Sequence, residues 1–337
     1  MHILVTGGTG FIGSHTCVAL LAAGHETSVI DNLSNSRRDV LDRVEQIAGT
    51  RPAFFEGDVR DQALLRQIFA HRPIDAVIHF AGLKAIGESV AQPLRYYDWN
   101  IGSTIALCQV MSEAGVKTLV FSSSATVYGD PAALPIREDF LRSTTNPYGA
   151  SKLMIEDILA DLAKADASWK ISRLRYFNPV GAHESGLIGE TPSGIPNNLM
   201  PYVAQVAAGQ RDCLSVFGND YPTPDGTGVR DYIHVMDLAE GHVAALDHLQ
   251  REGGLQTFNL GTGCGYSVLD MVHAFEQASG RAVPYKIVAR RPGDIAACYA
   301  DPTLATQALG WRAKRNLDAM CRDAWKWQCQ EAVRREA

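Results

Sequence analysis

Residues 2–13 read HILVTGGTGFIG, and this stretch decides the fold. An apolar run of strand type leads directly into a glycine-rich turn, and the turn opens an amphipathic segment. In such a turn Gly7 permits the tight bend, Gly10 lets the backbone approach a pyrophosphate, and Gly13 lets the helix pack closely on the strand. The helix N-terminus then offers free N–H groups and partial positive charge to phosphates. The stretch therefore predicts a dinucleotide-binding site.

The second apolar run ends at Asp31, about twenty residues beyond the turn, where a ribose-binding acid is expected. A carboxylate accepts a hydrogen bond from a ribose 2′-hydroxyl but repels a 2′-phosphate. The position therefore favours NAD over NADP, although Arg37 and Arg38 nearby leave NADP open.

The rest of the first half alternates short β-branched runs with amphipathic segments. The predicted strands are His2–Val5, Glu26–Ile30, Ala53–Glu56, Ala76–Phe80, Thr118–Ser122 and Lys170–Tyr176. The predicted helices include Ile12–Ala23, Ala63–Ala70, Asn100–Ala114 and Tyr148–Ala165. Because parallel strands need crossover helices, this alternation predicts an α/β fold with a Rossmann-type, doubly wound parallel sheet.

The pattern changes near residue 180, where long loops rich in Gly, Pro, Asn and Asp begin, such as 181–196 and 217–228. Loops of this length in a compact chain are usually functional. We therefore expect an NAD-binding domain over residues 1–179 and a smaller, irregular α/β substrate domain over residues 180–337. Whether late segments return to the first domain stays open.

Composition excludes several classes of protein. The net charge of -6 and the isoelectric point near 5.9 argue against a nucleic-acid-binding surface. No apolar run approaches the roughly 18 residues that a membrane span requires. The seven cysteines are scattered and form no Cys-x-x-Cys pair, so neither disulfides nor a metal site is predicted. The chain begins in a strand and shows no basic segment with a cleavage site, and we expect a cytoplasmic protein.

Tyr148 and Lys152 stand four residues apart in a predicted helix, so both side chains lie on one face. A phenol has a pKa near 10 and is a poor base at neutral pH, but a close ammonium lowers that pKa. Ser124 follows a predicted strand and could hydrogen-bond the reacting oxygen. These three residues are the candidate catalytic groups.

Asp58 with Val59 is a candidate adenine clamp, and Phe80, Ala81 and Gly82 end another strand beside the expected cofactor.

With these motifs the sequence resembles the extended short-chain dehydrogenase/reductases. Within them it is similar to the UDP-glucose (UDP-galactose) 4-epimerases. The motifs are TGGTGFIG at 6–13, HFAGLK at 79–84, SSSATVYG at 122–129, YGASK at 148–152, RYFNPVGA at 175–182, FGNDY at 217–221 and GTGVRDYIHV at 226–235.

The resemblance implies a mechanism. Tyr148, as phenolate, removes the proton of the sugar 4-hydroxyl while hydride passes to tightly bound NAD. The 4-keto sugar then turns over and the hydride returns to its other face. Lys152 holds the nicotinamide ribose and tunes Tyr148, and Ser124 positions the 4-oxygen. The resemblance also implies a UDP-hexose substrate and a homodimer, built on the helical segments 100–114 and 148–165.

The resemblance further assigns binding residues. The cofactor set is Gly7, Gly10, Phe11, Ile12, Gly13, Asp31, Asn32, Asn35, Ser36, Asp58, Val59, Phe80, Ala81, Gly82, Lys84, Asn100, Tyr148, Lys152 and Phe177. The substrate set is Lys84, Ser124, Thr126, Tyr148, Asn178, Asn198, Leu199, Val216, Phe217, Arg230, Arg291, Asp294 and Cys298.

Two positions depart from or vary within the family pattern. Trp99 precedes Asn100 where members often carry two asparagines, so the cofactor role is carried to Asn100 only. Cys298 occupies a position where a bulky Tyr tends to exclude N-acetyl sugars and a small residue tends to admit them. We therefore expect that UDP-GlcNAc and UDP-GalNAc are also accepted.

Three alternatives remain. A nucleotide-sugar 4,6-dehydratase needs an acid–base pair beside the serine, and here Ser124 is followed by Ala125 and Thr126, with no carboxylate. A decarboxylase would want further charged groups in the sugar site. A non-catalytic NAD-sensing protein would have little reason to keep Ser124, Tyr148 and Lys152 together.

Overall fold

The computed structural model describes residues 1–192, 194–291 and 293–336. The strands are β1 (His2–Thr6), β2 (Glu26–Asp31), β3 (Ala53–Glu56), β4 (Ala76–His79), β5 (Thr118–Ser124), β6 (Lys170–Tyr176), β7 (Asn178–Val180), β8 (Leu214–Phe217), β9 (Val229–Arg230), β10 (Tyr232–His234), β11 (Leu255–Leu260), β12 (Tyr266–Ser267), β13 (Tyr285–Val288) and β14 (Ala297–Cys298). The helices are α1 (Phe11–Ala22), α2 (Val40–Ala48), α3 (Gln62–His71), α4 (Ile86–Ala91), α5 (Pro93–Glu113), α6 (Pro147–Ala165), α7 (Leu199–Ala207), α8 (Val235–Glu252), α9 (Val268–Ser279), α10 (Thr303–Leu309) and α11 (Leu317–Glu336).

A seven-stranded parallel sheet in the order β11-β6-β5-β4-β1-β2-β3 forms the centre of the fold. The strand order reverses between β1 and β4, which creates a crevice at the carboxyl ends of these strands. Strand β1 is buried along its whole length, because helices cover both faces of the sheet. The predicted α/β Rossmann-type fold is confirmed.

The structure differs from the sequence-based prediction at several element boundaries. Helix α5 begins at Pro93 instead of Asn100, because proline fits the first helical position, where no N–H bond is needed. Strand β5 runs on to Ser124, which brings that serine to the edge of the sheet. Strand β11 pairs in parallel with β6, so a segment from the second half of the chain completes the sheet.

The short strands outside the central sheet, together with α7, α9 and α11, form a smaller lobe. Its strands make the short pairings β10-β7, β12-β9-β14 and β13-β8. Its core lies between α7, α9 and α11 and includes Val203, Phe275 and Met320. Within the described residues no helix is both long enough and apolar enough to cross a bilayer.

Candidate active site

The glycine turn has the geometry of a phosphate cradle. Gly7 has φ +70°, which only glycine adopts without strain. A Cβ at Gly13 would lie 2.3 Å from the carbonyl oxygen of Gly7, so that position also excludes any side chain. The first turn of α1, which includes Phe11 and Ile12, has no side-chain cap and no acidic residue. Its N–H groups therefore face the turn and are available to an anion.

Asp31 is fixed at the end of β2 by hydrogen bonds to both carboxylate oxygens. Oδ2 accepts from the backbone N–H of Thr9 (3.1 Å), and Oδ1 accepts from Leu33 N–H (2.9 Å) and Ser36 Oγ (3.0 Å). Of the two nearby arginines, Arg37 pairs with Asp39 at 3.0 Å and Arg38 stacks over Phe54. Both guanidinium groups are thus engaged away from Asp31, and this arrangement matches a 2′-hydroxyl better than a 2′-phosphate.

The candidate adenine clamp, Asp58 with Val59, lies on the loop after β3. Arg60 donates to both oxygens of Asp58, and Asn32 Nδ2 donates to Oδ2 at 3.2 Å. The hydrogen bond from Arg60 outweighs burial and lowers the pKa of Asp58, so a hydrogen-bond acceptor is maintained there. Val59 is buried beside it, whereas Asn35 lies exposed on the loop after β2.

The loop after β4 is held by hydrogen bonds to the side chains of Thr6 and Asn100. The N–H of Ala81 donates to Thr6 Oγ1 at 3.2 Å. Asn100 is buried, and its amide accepts from Leu83 N–H and donates to Leu83 O and Ser151 Oγ. The side chain of Asn100 thus acts on this loop directly, and any influence on a cofactor passes through Leu83 or Ser151. The cofactor role predicted for Asn100 stays a prediction.

The three candidate catalytic groups meet at the carboxyl end of β5. Ser124 accepts from Thr126 N–H and Thr126 Oγ1, at 3.2 and 3.0 Å. Burial raises the pKa of Tyr148, while a hydrogen bond with Ser124 and the positive charge of Lys84 oppose that rise. Lys152 donates to the carbonyl oxygen of Ser122 at 2.7 Å, and burial lowers its pKa to about 8. The cation whose charge acts on Tyr148 in this structure is therefore Lys84, a contribution that the sequence did not predict.

The predicted substrate residues that follow β6 in the chain belong to the smaller lobe. Asn178 is exposed at the start of β7, next to β10. Arg291 lies 5.5 Å from the ring of Phe217 and pairs with Asp294 at 3.0 Å. Val216 is buried in β8, where it pairs with Ile287 of β13, and Leu199 lies at the start of α7.

Cys298 lies opposite Arg230 in the β14–β9 pairing, where the Arg230 side chain donates to Val229 O at 2.8 Å. It packs on a small apolar cluster that includes Val127 and Phe177. Ala125, the residue after Ser124, packs on the same cluster, so Cys298 and the segment that follows Ser124 share one apolar core.

Comparison with known proteins agrees with this geometry. The family described as GDP-mannose 4,6 dehydratase matches residues 4–324, and a UDP-glucose 4-epimerase from Bacillus subtilis is 62% identical over 97% of each chain. The chain belongs to the UDP-glucose 4-epimerase family. It therefore also belongs to the extended short-chain dehydrogenase/reductases, as its motifs indicate.

Solved structures give the same answer. A UDP-glucose 4-epimerase from Stenotrophomonas maltophila with bound NAD and formylated UDP-arabinopyranose superposes with TM-score 0.97, at 53% identity over 100% of each chain. An epimerase from Bifidobacterium longum in complex with NAD+ and UDP has TM-score 0.96 and 56% identity, over 98% of this chain and 99% of that one.

One buried group supporting the epimerase site was not predicted. Glu156 accepts from Ser123 Oγ at 2.6 Å and pairs with Arg175 at 2.7 Å. Glu156 stands four residues after Lys152, as Lys152 does after Tyr148, so helical spacing on its own could have revealed it.

A second unpredicted residue is Glu190, on the loop between β7 and α7. Its Oε1 accepts from Lys84 Nζ at 3.0 Å and from Asn198 Nδ2 at 2.7 Å. No spacing rule links these positions, because they meet only in the folded chain. In the described part of the chain no carboxylate hydrogen-bonds Ser124, Thr126 or Tyr148. The acid–base pair expected of a dehydratase is therefore not found beside the serine.

Proposed function

We propose that this enzyme interconverts UDP-galactose and UDP-glucose through a 4-keto intermediate, with NAD held in the glycine cradle. The observation that carries the proposal is the docking of α6 on β5, where Lys152 donates to Ser122 O at 2.7 Å and Tyr148 lies one helical turn before it, in a chain 62% identical to a UDP-glucose 4-epimerase. A tightly held cofactor suits a reaction in which it is regenerated at each turnover.

The residues present fit NAD. The uncapped turn of α1 with Gly7 and Gly13 would hold the pyrophosphate, Asp31 the adenosine ribose, and Lys152 the nicotinamide ribose. The chemistry that NAD would supply when bound is reversible acceptance of the hydride from C4 of the sugar. Solved structures of two relatives contain NAD, which supports the same cofactor here.

Tyr148 acts as the base and then as the acid. Its phenolate takes the proton of the sugar 4-hydroxyl, while Ser124 hydrogen-bonds the same oxygen and keeps it in line. The flat keto sugar then presents its other face, and Tyr148 returns the proton to the oxygen. Because burial raises the pKa of Tyr148, nearby positive charge is needed to make the phenolate available.

The smaller lobe would hold the UDP part. Arg230 and Arg291 would bind the diphosphate with two guanidinium groups, and Phe217 with the backbone at Val216 would face uracil. Asp294 would accept from the uridine ribose. Since Arg291 pairs with Asp294 in this structure, binding of UDP would exchange that ion pair for contacts with the ligand.

The substrate range extends to the N-acetyl sugars. Cys298 is small and packs beside Phe177, which leaves room for a larger C2 substituent. Turnover of UDP-galactose without any turnover of UDP-GalNAc would contradict this extension but not the main reaction.

One incubation tests the main proposal. Purified protein is mixed with UDP-galactose, and separately with UDP-GalNAc, without added NAD. Formation of UDP-glucose supports both the reaction and the retained cofactor. A 4-keto-6-deoxy product would instead indicate a dehydratase, and absence of any conversion even with added NAD would contradict the proposal.

A homodimer is the expected assembly. The helices α4, α5 and α6 expose apolar side chains, among them Val90 (63%), Leu94 (81%), Ile105 (41%) and Met154 (46%). Sedimentation velocity should give a dimer for the wild-type chain and a monomer for Ile105→Arg/Met154→Arg. The exposed Leu141→Arg, outside these helices, is the control.

The free cysteines, Cys17 and Cys321 among those buried, support the expected cytoplasmic location.

A further inference from the structure

Glu190 connects the two halves of the chain beside the catalytic tyrosine. One carboxylate oxygen accepts from Lys84, which follows β4, and from Asn198, which precedes α7, at 3.0 and 2.7 Å. The backbone carbonyl of Glu190 accepts from Trp327 Nε1 at 3.2 Å. The side chain of Glu190 is 12% exposed, whereas that of Lys84 is 51% exposed. The carboxylate is therefore the more buried partner of this ion pair, and the lysine is the more exposed one.

We propose that Glu190 is a positioning residue that joins Lys84 and Asn198 into one hydrogen-bonded unit and limits how strongly the Lys84 charge favours the phenolate of Tyr148. The inference rests on the proposed function, because it concerns the base of that reaction. It assigns Glu190 no contact with the reacting atoms.

The charges around Tyr148 make this role specific. From the loop after β4 the phenol faces Lys84, from its own helix Lys152, from β5 Ser124, and from the end of β6 Tyr176. Lys152 is held by Ser122 O at 2.7 Å, and the Tyr176 hydroxyl is held by His242. Lys84 is thus the cation whose charge bears on Tyr148, and Glu190 is its counter-ion.

The electrostatic directions agree with the geometry. The charge of Glu190 is the main cause that raises the pKa of Lys84, and the charge of Lys84 lowers the pKa of Tyr148. An ion pair presents less net positive charge to a neighbour than an unpaired ammonium does. Removing the Glu190 charge therefore leaves Lys84 a stronger promoter of the phenolate.

The variant Glu190→Gln tests the proposal, since glutamine keeps the size and the accepting oxygen but not the charge. The acid limb of kcat/KM against pH, which reports the free enzyme, should move to lower pH by roughly 0.5 unit. In the background Lys84→Met the same substitution should leave the profile unchanged, because Glu190 acts through Lys84. Glu184→Gln, an exposed acid of the same loop, is the control and should match the wild type.

The outcomes separate this inference from the proposed function. A wild-type profile for Glu190→Gln with NAD retained overturns the inference, and so does a shift that persists when Lys84 is Met. A wild-type enzyme without epimerisation overturns the proposed function instead. In that case the titration of Tyr148, followed as the ultraviolet difference from Tyr148→Phe, still tests whether Glu190→Gln lowers its pKa.

Discussion

Tyr148 lies between two lysines that serve it differently. Lys152 is buried, and its ammonium donates to the carbonyl oxygen of Ser122. Lys84 is more exposed, and its charge opposes the rise in the pKa of Tyr148 that burial causes. We therefore propose a division of roles, in which Lys152 positions a ligand and Lys84 adjusts the base. This division requires both residues, although only Lys152 shares a helix with Tyr148.

Tyr148→Phe removes the proton acceptor while keeping the ring in place. We expect kcat for UDP-galactose to fall by about 100- to 10,000-fold, the usual contribution of a positioned acid–base group. The NAD content of the purified protein should not change. Tyr202→Phe, whose ring packs on the core of the smaller lobe beside Arg211, is the control. Full activity in Tyr148→Phe would show that another group is the base.

Cys298→Tyr places a bulky ring beside Phe177 and the segment after Ser124. Turnover of UDP-GalNAc should then drop at least tenfold relative to UDP-galactose, since exclusion worth about 1.4 kcal/mol already gives that ratio. Coupled assays with both substrates measure the two values of kcat/KM. Cys298→Ser, which stays small, should keep the wild-type ratio. Equal losses for both sugars in Cys298→Tyr would argue against a gate.

Helix α6 docks on β5 with one face, and that face carries the candidate base. Tyr148, Lys152 and Glu156 follow at intervals of four residues, so they share that face. Lys152 reaches the Ser122 carbonyl and Glu156 the Ser123 hydroxyl, at 2.7 and 2.6 Å. These two contacts fix the register of the helix on the strand. Tyr148 consequently lies at Ser124, the last residue of the strand.

Helix α1 depends on close contact with the glycine turn. In Gly13→Ala the new Cβ would lie 2.3 Å from the Gly7 carbonyl oxygen, so the helix or the turn must move. We expect a loss of bound NAD and a destabilisation of about 2 kcal/mol, as for other overpacked sites. Absorbance of released cofactor and thermal unfolding measure these effects.

Gly102→Ala in α5 is the matched control for that prediction. A Cβ there meets its nearest neighbour, a side-chain oxygen of Asp98, at 3.7 Å, which is ordinary contact. Alanine is also the better helix former. Stability should therefore stay the same or rise. A Gly13→Ala protein with full NAD content would show that the turn tolerates a side chain.

At the scale of the whole molecule, a buried network ties the sheet to the late part of the chain. Arg175 on β6 pairs with Glu156 and donates to the Tyr128 hydroxyl at 2.8 Å. That hydroxyl donates to Asn259 on β11 at 2.6 Å, and the N–H of Asn259 donates to Glu138 at 2.8 Å. Elements that are distant in sequence thereby share one polar core behind Ser124, and they should unfold together.

Glu156→Gln should destabilise the fold by about 3–5 kcal/mol, because it leaves Arg175 buried without a counter-ion. Burial alone would raise the pKa of Glu156, but hydrogen bonds and charge from Arg175 lower it overall. The stabilisation that ionised Glu156 provides is therefore complete above its unfolded-state pKa, near 4.3. It is lost as the pH falls through the lower pKa that Glu156 has in the folded state.

Urea unfolding at pH 7 and at decreasing pH measures this effect. The wild-type chain should lose stability toward acid more steeply than Glu156→Gln does. Glu113→Gln, which breaks the exposed pair with Arg66, should change the free energy of unfolding little at either pH. Equal stability of Glu156→Gln and wild type at pH 7 would show that the pair is not structurally required.

The fold and the main site were largely predictable because their signals are local. The glycine turn, the alternating strands of the first half and the four-residue spacing of Tyr148 and Lys152 each depend on neighbours in sequence. The site roles assigned by resemblance stay predictions, as does the domain boundary at 179/180. The start of α5 was missed because aromatic and charged residues at 94–99 hide the helical period.

The sequence by itself determined the doubly wound sheet, the dinucleotide turn and the family, since strand periodicity and motif spacing are written along the chain. Only the tertiary structure decided that β11 completes the sheet, that Lys84 is the cation acting on Tyr148, and that Glu190 holds Lys84 together with Asn198. Paired residues of β11 and β6 are 84 positions apart in the sequence, and Lys84 is 106 positions from Glu190. Their energies depend on distance in space and on burial, which no local pattern of residues encodes.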